Sequence, residues 1–306
     1  VPPSTQADRF NPPLFTFDPA ARYEWNVFDQ ITVATITWNR LEMTRRYIDS
    51  VLRHAHLPHR LLVIDNASTD GTRDYLRELA VRHPHVSVVE NGRNVGLARA
   101  LLQLRDIVDD GLVVYCDNDM EVLTNYWLVL VMKAFHALRL ARGNADAVLG
   151  PRVINLDEYG FRYASRREIL PIPAERNSEP RTSYAAVSKD DPADATRLRE
   201  EVVIGWTEYM MGGAQAMPAS VLRRIPLERC YPLYIGGTDA FMSAELGRMG
   251  VPMGYIENGP VVRHNDWPYT EDKVRDYQRL TTTRSVADLS WARWKARMLL
   301  GRLRRG

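Results

Sequence analysis

Cysteine is scarce: Cys116 and Cys230 are the only two in 306 residues. Two thiols so far apart make neither a disulfide framework nor a C-x-x-C metal knuckle, and a reducing, cytosolic setting fits them best. Cys116 sits in an apolar run, the place of a small buried hydrophobe. No apolar stretch approaches the ~20 residues needed to cross a bilayer, and no signal-peptide core is visible. Excess charge is lacking as well. Lys and Arg number 40 against 38 Asp and Glu, a net +2, which argues against a general polyanion surface and nucleic acid as a partner. No G-x-G-x-x-G opens a strand-to-helix turn, so hydride transfer on a dinucleotide is disfavoured. "TITWNRLEMT" (35–44) has no glycine, whereas a nucleotidyltransferase would want a glycine-rich, basic loop after its first strand. No repeat of solenoid period is present. The chain opens on Val rather than Met, as a piece excised from something longer would.

The composition that remains is that of a globular protein, 45% hydrophobic and 25% charged, long enough for one large domain or two modest ones. Residues 1–29 mix prolines with Phe10, Phe15, Phe17, Tyr23, Trp25 and Phe28. Disordered tails rarely carry so many aromatics, so this segment reads as an extended arm wrapping a body. "ITVATITWNR" (31–40) is a β-branched strand that ends in a polar loop, and Leu41, Ile48, Val51, Leu52 and Ala55 follow near helical spacing. "RLLVIDNASTDGT" (60–72) repeats the theme, with a strand at 61–64 and a helix at about 72–82. A third strand is expected at 86–89 with a helix from about 96, and a fourth in "GLVVYCDND". This alternation predicts an α/β fold with a mainly parallel, doubly wound sheet and helices on both faces. Ligands of such sheets sit beyond the carboxyl ends of the strands, where every polar loop just named lies.

Further on, 145–154 reads as one strand, and 155–200, charged and proline-rich, as a long insertion or flap. "EVVIGWTEYMMGGAQAMPASVLRRI" returns to strand, glycine turn and helix. "GGTDAFMSAELGRMG" feeds a helix from about 239 to 249, and "VPMGYIENGPVVRHND" holds two short strands. The expected organisation is an arm at 1–29, a catalytic body at 30–265 and a basic helical extension at 266–306.

The chemistry concentrates in the loops. In "VVYCDNDMEV" (113–122), Asp117 and Asp119 stand where an apolar run stops. Like charges at that range repel, and a carboxylate near low-dielectric protein needs a partner. Both could reach one hard cation, Mg²⁺ or Mn²⁺, shared with substrate phosphates, with Asn118 turned away or toward a sugar hydroxyl. A solvated turn that caps the next helix is the bland alternative. Asp65 follows another strand, with Asn66, Ser68, Thr69, Asp70 and Gly71 in a turn-rich loop. Asn91, Gly92, Arg93, Asn94 and Gly96 add amides, a cation and flexible backbone. Together these suit a nucleoside diphosphate, although each loop alone is more often a turn. His54, His56 and His59 ("HAHLPH") have zinc-like composition, but lie in a helix-to-strand connection away from the strand carboxyl ends.

"TITWNR", "VIDNASTDGT", "NGRNVGLARA", "VYCDNDMEV", "MMGGAQAMPASVLRRI" and "GGTDAFMSAELGRMG" resemble, in order, the motifs of family 2 glycosyltransferases with the GT-A fold, over roughly residues 30–265. The resemblance implies transfer of a sugar from a nucleotide-sugar donor, with divalent metal and inversion at the anomeric carbon, the default nucleotide being UDP. It implies that Thr37, Asn39 and Arg40 form the first loop around the nucleotide. Asp65 would accept from the base with Asn66 and Ser68 beside it, and Arg93, Asn94 and Gly96 would close over base and ribose. Asp117, Asn118 and Asp119 would form the metal and diphosphate motif, Asp119 the direct ligand. His264 stands where some relatives supply a third metal ligand. Gly212, Gly213 and Ala214 are similar to the turn lining donor sugar and acceptor, where missing side chains permit close approach. Asp239 takes the place of the general base. Thr238, Phe241 and Glu245 depart from the family's usual Glu, second acid and Arg.

The implied acceptor is a saccharide or a lipid-linked sugar, in bacterial-type polysaccharide or glycoconjugate synthesis. A non-catalytic sugar-nucleotide or glycan-binding domain is the competing reading from another class. In the tail, Arg293, Lys295, Arg297, Arg302, Arg304 and Arg305 alternate with Trp291, Trp294, Met298 and leucines. This fits an interfacial helix over 286–306 on anionic lipid at the inner membrane face, or a final helix that packs its tryptophans on the body.

Overall fold

The computed structural model describes residues 25–154, 166–172, 201–210, 213–230 and 238–265, all within one compact unit, Val1–Asn265. The expected arm up to residue 24, most of the expected insertion, Gly212 and the basic extension 266–306 lie outside the described residues.

Three strand–helix units and a fourth strand build the first half. β1 (Ile31–Thr37) leads to α1 (Leu41–His54), β2 (Arg60–Asp65) to α2 (Thr72–Arg82), and β3 (Val86–Glu90) to α3 (Leu97–Ile107), before β4 (Leu112–Cys116). Each strand is β-branched or leucine-rich, and β1, β2 and β4 are buried almost throughout, as expected of parallel strands covered on both faces. α1 buries Thr44, Tyr47, Ile48 and Val51 and exposes Arg45, Arg46 and Asp49, an amphipathic helix in register with its sequence. β1 pairs in parallel with both β2 and β4, and β2 with β3. All their carboxyl ends therefore open on one edge.

The second half reverses direction. β5 (Met120–Val122) and α4 (Trp127–Arg142) follow the fourth strand. The segment read as one strand at 145–154 is two, β6 (Val148–Gly150) and β7 (Arg152–Ile154), which enter different sheets. Pro151 between them has no N–H with which to continue a ladder. Then come β8 (Arg166–Pro171), β9 (Glu201–Thr207), β10 (Ala214–Pro218), α5 (Ala219–Arg224), α6 (Thr238–Arg248), β11 (Met253–Ile256) and β12 (Val261–His264). Among the described residues the main sheet has nine strands in the order β3-β2-β1-β4-β10-β6-β11-β9-β8, and a small sheet runs β5-β12-β7. The half built from β1 to β4 is parallel, while β10 runs antiparallel to both β4 and β6.

Two further details emerge. The stretch after the expected glycine turn begins with a strand, β10, before its helix. The expected insertion contains β8, antiparallel to β9. A cluster on α4 fastens this hairpin. Trp206 donates to Glu168 at 2.6 Å, and Arg142 stacks on Trp206 while pairing with the same carboxylate. At the middle of α4, Lys133 lies over buried Trp25 and Phe28 meets Phe135 edge to face at 5.5 Å, so residues 25–28 pack on the body.

Gly111 opens β4 with φ +120°, and a Cβ there would run into the Gln30 backbone carbonyl, which already accepts from the Leu112 amide. Gly111→Ala is expected to cost about 2 kcal/mol or more through strain and overpacking. Urea unfolding checks this; an unchanged midpoint would show that the strand can shift.

Candidate active site

The Asp117-Asn118-Asp119 turn is held from three sides. The Asp117 amide donates to Gly213 O at 2.9 Å, the Met120 amide to Asp117 O, and the Asn265 amide to Asp119 O at 2.8 Å. A Cβ on residue 213 would overlap the terminal methyl of fully buried Met120, so glycine lets this backbone touch the turn. Asn118 points inward: its amide donates to the hydroxyls of Thr37 (3.1 Å) and Thr44 (3.0 Å). The two aspartates are left at the mouth.

Asp117 Oδ1 accepts from the Tyr115 hydroxyl at 2.6 Å. Desolvation, then the charges of Asp119 and Asp239, push the Asp117 carboxyl well above its ordinary range, while the Tyr115 hydrogen bond and Arg40 act the other way. The same neighbourhood raises Tyr115 far above an ordinary phenol, burial first and the Asp117 charge next. Asp119 Oδ2 pairs with an Arg40 guanidinium nitrogen at 3.2 Å. Asp119 Oδ1 is buried without a hydrogen-bond partner, 4.0 Å from His264 Nε2. Asp117 thus bears the cost of two neighbouring carboxylates, and Asp119 keeps a buried oxygen without a hydrogen-bond partner near an imidazole. Hard oxygen and imidazole donors suit a divalent cation, although among the described residues no three of them are gathered closely enough to enclose one. Asp117, Asp119 and His264 are the residues that would hold it. His264 is delivered by the small sheet, where β12 pairs with β5 and sets His264 opposite Met120.

The loops at the parallel edge are braced mainly by each other. Asp65 is fully buried, accepting from Arg73 Nε at 2.9 Å and from the Ser68 amide. Arg73 also donates to Asn91 O at 2.6 Å. Asn66 joins the loops: its Oδ1 accepts from the Val95 amide and from Asn91, and its Nδ2 donates to Asn94 Oδ1. Asn91 and Gln103 exchange two further amide bonds. Gly96, with φ +84°, begins α3 and donates to Asn94. Arg93 is exposed at the tip. Asn66→Ala would leave the part-buried Val95 amide without its acceptor, at about 1–3 kcal/mol, read by urea unfolding and by faster hydrogen exchange at the Val95 amide. Unchanged exchange would show that the loop does not depend on this amide.

Of the residues singled out from sequence, the structure brings Arg40, Asp117, Asp119 and His264 into one cluster, and the mutual charge effect adds Asp239. Asp239 is the second residue of α6, inside the helix rather than ahead of it. Thr37, Asn66, Ser68, Asn94 and Asn118 have side-chain hydrogen bonds within and between the loops. Ala214 is buried at the start of β10, beside Cys116 of β4. Of the unusual positions on α6, Phe241 is in the core and Glu245 pairs with Arg248 of its own helix. His54 is buried at the end of α1. It shares Asn125 with His56, and His59 bonds Leu57 O.

Arg73, Gln103 and Tyr115 were missed from sequence. Tyr115 could have been found, because residues i and i+2 of a strand share a face and Tyr115 precedes Asp117 by two. Arg73 and Gln103 sit on helices, and no local signal points them at a loop.

A GT-A-type sheet with acidic residues just beyond β4 and polar loops at the same edge is that of a glycosyltransferase. The family described as Glycosyl transferase family 2 matches residues 32–192, and the chain belongs to that family. TuaG of Bacillus subtilis (strain 168), assigned to teichuronic acid biosynthesis as a glycosyltransferase, is 28% identical over 89 residues, 29% of this chain and 35% of TuaG. Two solved structures share the fold. GalNAc-T7 with UDP, GalNAc and Mn²⁺ superposes with TM-score 0.54 at 14% identity, covering 85% of this chain and 49% of that one. The mannosyltransferase PcManGT from Pyrobaculum calidifontis, in complex with GDP-Man and Mn²⁺, gives 0.51 at 19%, covering 88% and 65%. The chain thus spans from about a third to two thirds of these relatives' lengths. Among the described residues no helix is long and apolar enough to cross a membrane.

Proposed function

We propose that this family 2 glycosyltransferase moves a sugar from a nucleoside-diphosphate sugar, UDP favoured, to an acceptor hydroxyl with inversion at the anomeric carbon. The observation that carries the reading is the convergence of Asp117, Asp119 and Asp239 at the open edge of the sheet, with Asp119 Oδ1 unpartnered beside His264. The donor lies across this edge, its base toward the loops at 65–71 and 91–96 and its diphosphate toward Arg40 and the aspartates. A divalent cation, Mn²⁺ or Mg²⁺, held by Asp119, Asp117 and His264 supplies charge stabilisation for the departing diphosphate. Asp239 accepts the proton of the acceptor hydroxyl as its oxygen attacks the anomeric carbon from the face opposite the leaving group. Tyr115 keeps Asp117 in place through its hydroxyl, and Gly213, which leaves room for the buried Met120 methyl, lets its carbonyl hold the aspartate turn. Mn²⁺ with a nucleotide or nucleotide sugar in both solved relatives supports the donor class, and TuaG supports a bacterial-type polysaccharide or glycoconjugate as product. The acceptor is a saccharide or a lipid-linked sugar.

A panel of nucleotide sugars, scored by thermal stabilisation and by donor hydrolysis with and without Mn²⁺, tests the proposal, because a ligand of the native state alone raises its stability. Metal-dependent stabilisation with hydrolysis of one donor is expected. Stabilisation without hydrolysis or transfer would favour a non-catalytic sugar-nucleotide domain, and no response to any donor would overturn the reading.

A further inference from the structure

The loop after β1 carries two successive non-glycine residues in the left-handed region, Asn39 with φ 58° and Arg40 with φ 65°. This conformation is uncommon for one L-residue and persists only where the surroundings over-determine it. Here they do. The Asn39 amide donates to Ser68 Oγ at 2.7 Å, the Thr69 amide to Asn39 Oδ1 at 2.8 Å, and the Leu41 amide to Asp70 Oδ2 at 2.9 Å. The Asn39, Ser68 and Asp70 side chains thus bolt the first loop to the second. What this strained turn achieves is the placement of one side chain. Arg40 reaches over the end of β4 to Asp119, 79 residues further along, and puts Nη1 3.2 Å from Oδ2. The pair is only partly shielded on the arginine side, while the carboxylate is nearly buried.

Asp119 Oδ2 is thereby taken by a guanidinium, while Oδ1 faces His264. We propose that Arg40 is the resident counterion of the metal carboxylates: it competes with the divalent cation for Asp119 and turns to the donor's diphosphate when the cation binds. The inference rests on the reading of Asp119 as a metal ligand. A guanidinium suits both stations, because carboxylate and phosphate offer it the same paired-oxygen geometry. Cation alone draws on a carboxylate whose charge Arg40 already offsets at Oδ2 and sits beside that guanidinium, so it binds weakly. With a nucleoside diphosphate present the displaced guanidinium gains phosphate oxygens, so metal and nucleotide bind cooperatively, each raising the other's affinity equally.

The test measures Mn²⁺ binding to the full chain by the electron paramagnetic resonance signal of free Mn²⁺, with and without UDP. The variants are Arg40→Met, Arg40→Gln as a second neutral replacement, Arg40→Lys, which keeps the charge, and Asp119→Ala. Loss of one partly exposed charge is worth about tenfold in affinity. The neutral variants are therefore expected to bind Mn²⁺ alone about tenfold more tightly, with the gain from UDP reduced by a similar factor, while Arg40→Lys stays near wild type. Mn²⁺ binding by both neutral variants no tighter than wild type would overturn the counterion role. Undiminished Mn²⁺ binding by Asp119→Ala would instead overturn the metal reading beneath it.

Discussion

Asp239→Asn is expected to lower turnover by about 10²–10⁴-fold, the usual contribution of a positioned general base, while leaving donor affinity essentially unchanged. The argument is one of place and charge. Asp239 stands in the first turn of α6, where a carboxylate is favoured by the helix dipole. It is near enough to Asp117 and Tyr115 that its charge raises both. Asn keeps the size and loses the ability to take a proton. Single-turnover transfer, with donor binding followed separately by calorimetry, distinguishes the two effects. Wild-type turnover in Asp239→Asn would remove it from the role of base; lost donor affinity would move it to the binding side.

Asp119→Ala is expected to eliminate metal-dependent donor binding. At a hundredfold excess over the dissociation constant, a ligand of the native state adds about 2.7 kcal/mol of stability, several degrees of melting temperature for a chain of this size. The variant should show no such shift with Mn²⁺ and donor together, and calorimetry should show no Mn²⁺ dependence. Its metal-free stability changes less, because the Arg40 pair is partly solvated and such pairs contribute about 0–1 kcal/mol. A full Mn²⁺-dependent shift in Asp119→Ala would place the cation elsewhere.

The parallel half of the fold was legible because each unit is local. β1 through β4 are short apolar runs ending in polar loops, and α1 to α3 follow them within a few residues. The antiparallel half hid itself for physical reasons. α4, "WLVLVMKAFHALRLAR", is buried on nearly every side and so lacks a one-sided period. β6 and β7 are three residues each, separated by Pro151, and only the tertiary fold assigns them to different sheets. β8 is an edge strand with four charged or proline residues among six, the composition that edges adopt to discourage further pairing. In the site, residue types were legible and their mutual contacts were not. Asn66, Ser68 and Asn118 carry the polarity of ligand contacts, yet their hydrogen bonds run between loops. The contact between Arg40 and Asp119 spans two strand–helix units and has no sequence signature.

The small sheet has a kinetic meaning. β5 leaves the aspartate turn directly, but its partner β12 arrives only near residue 264, and the Arg263–Glu121 contact closes a separation of 142 residues. Contacts of such range are entropically late in folding. A ribosome-bound or proteolysed chain that stops short of β12 can complete the local units β1 to β4 and their loops, yet its aspartates lack both His264 and the Asn265 brace. On the proposed reading, metal-dependent donor binding therefore requires β12 to be in place, so a fragment truncated before it should not bind donor with Mn²⁺.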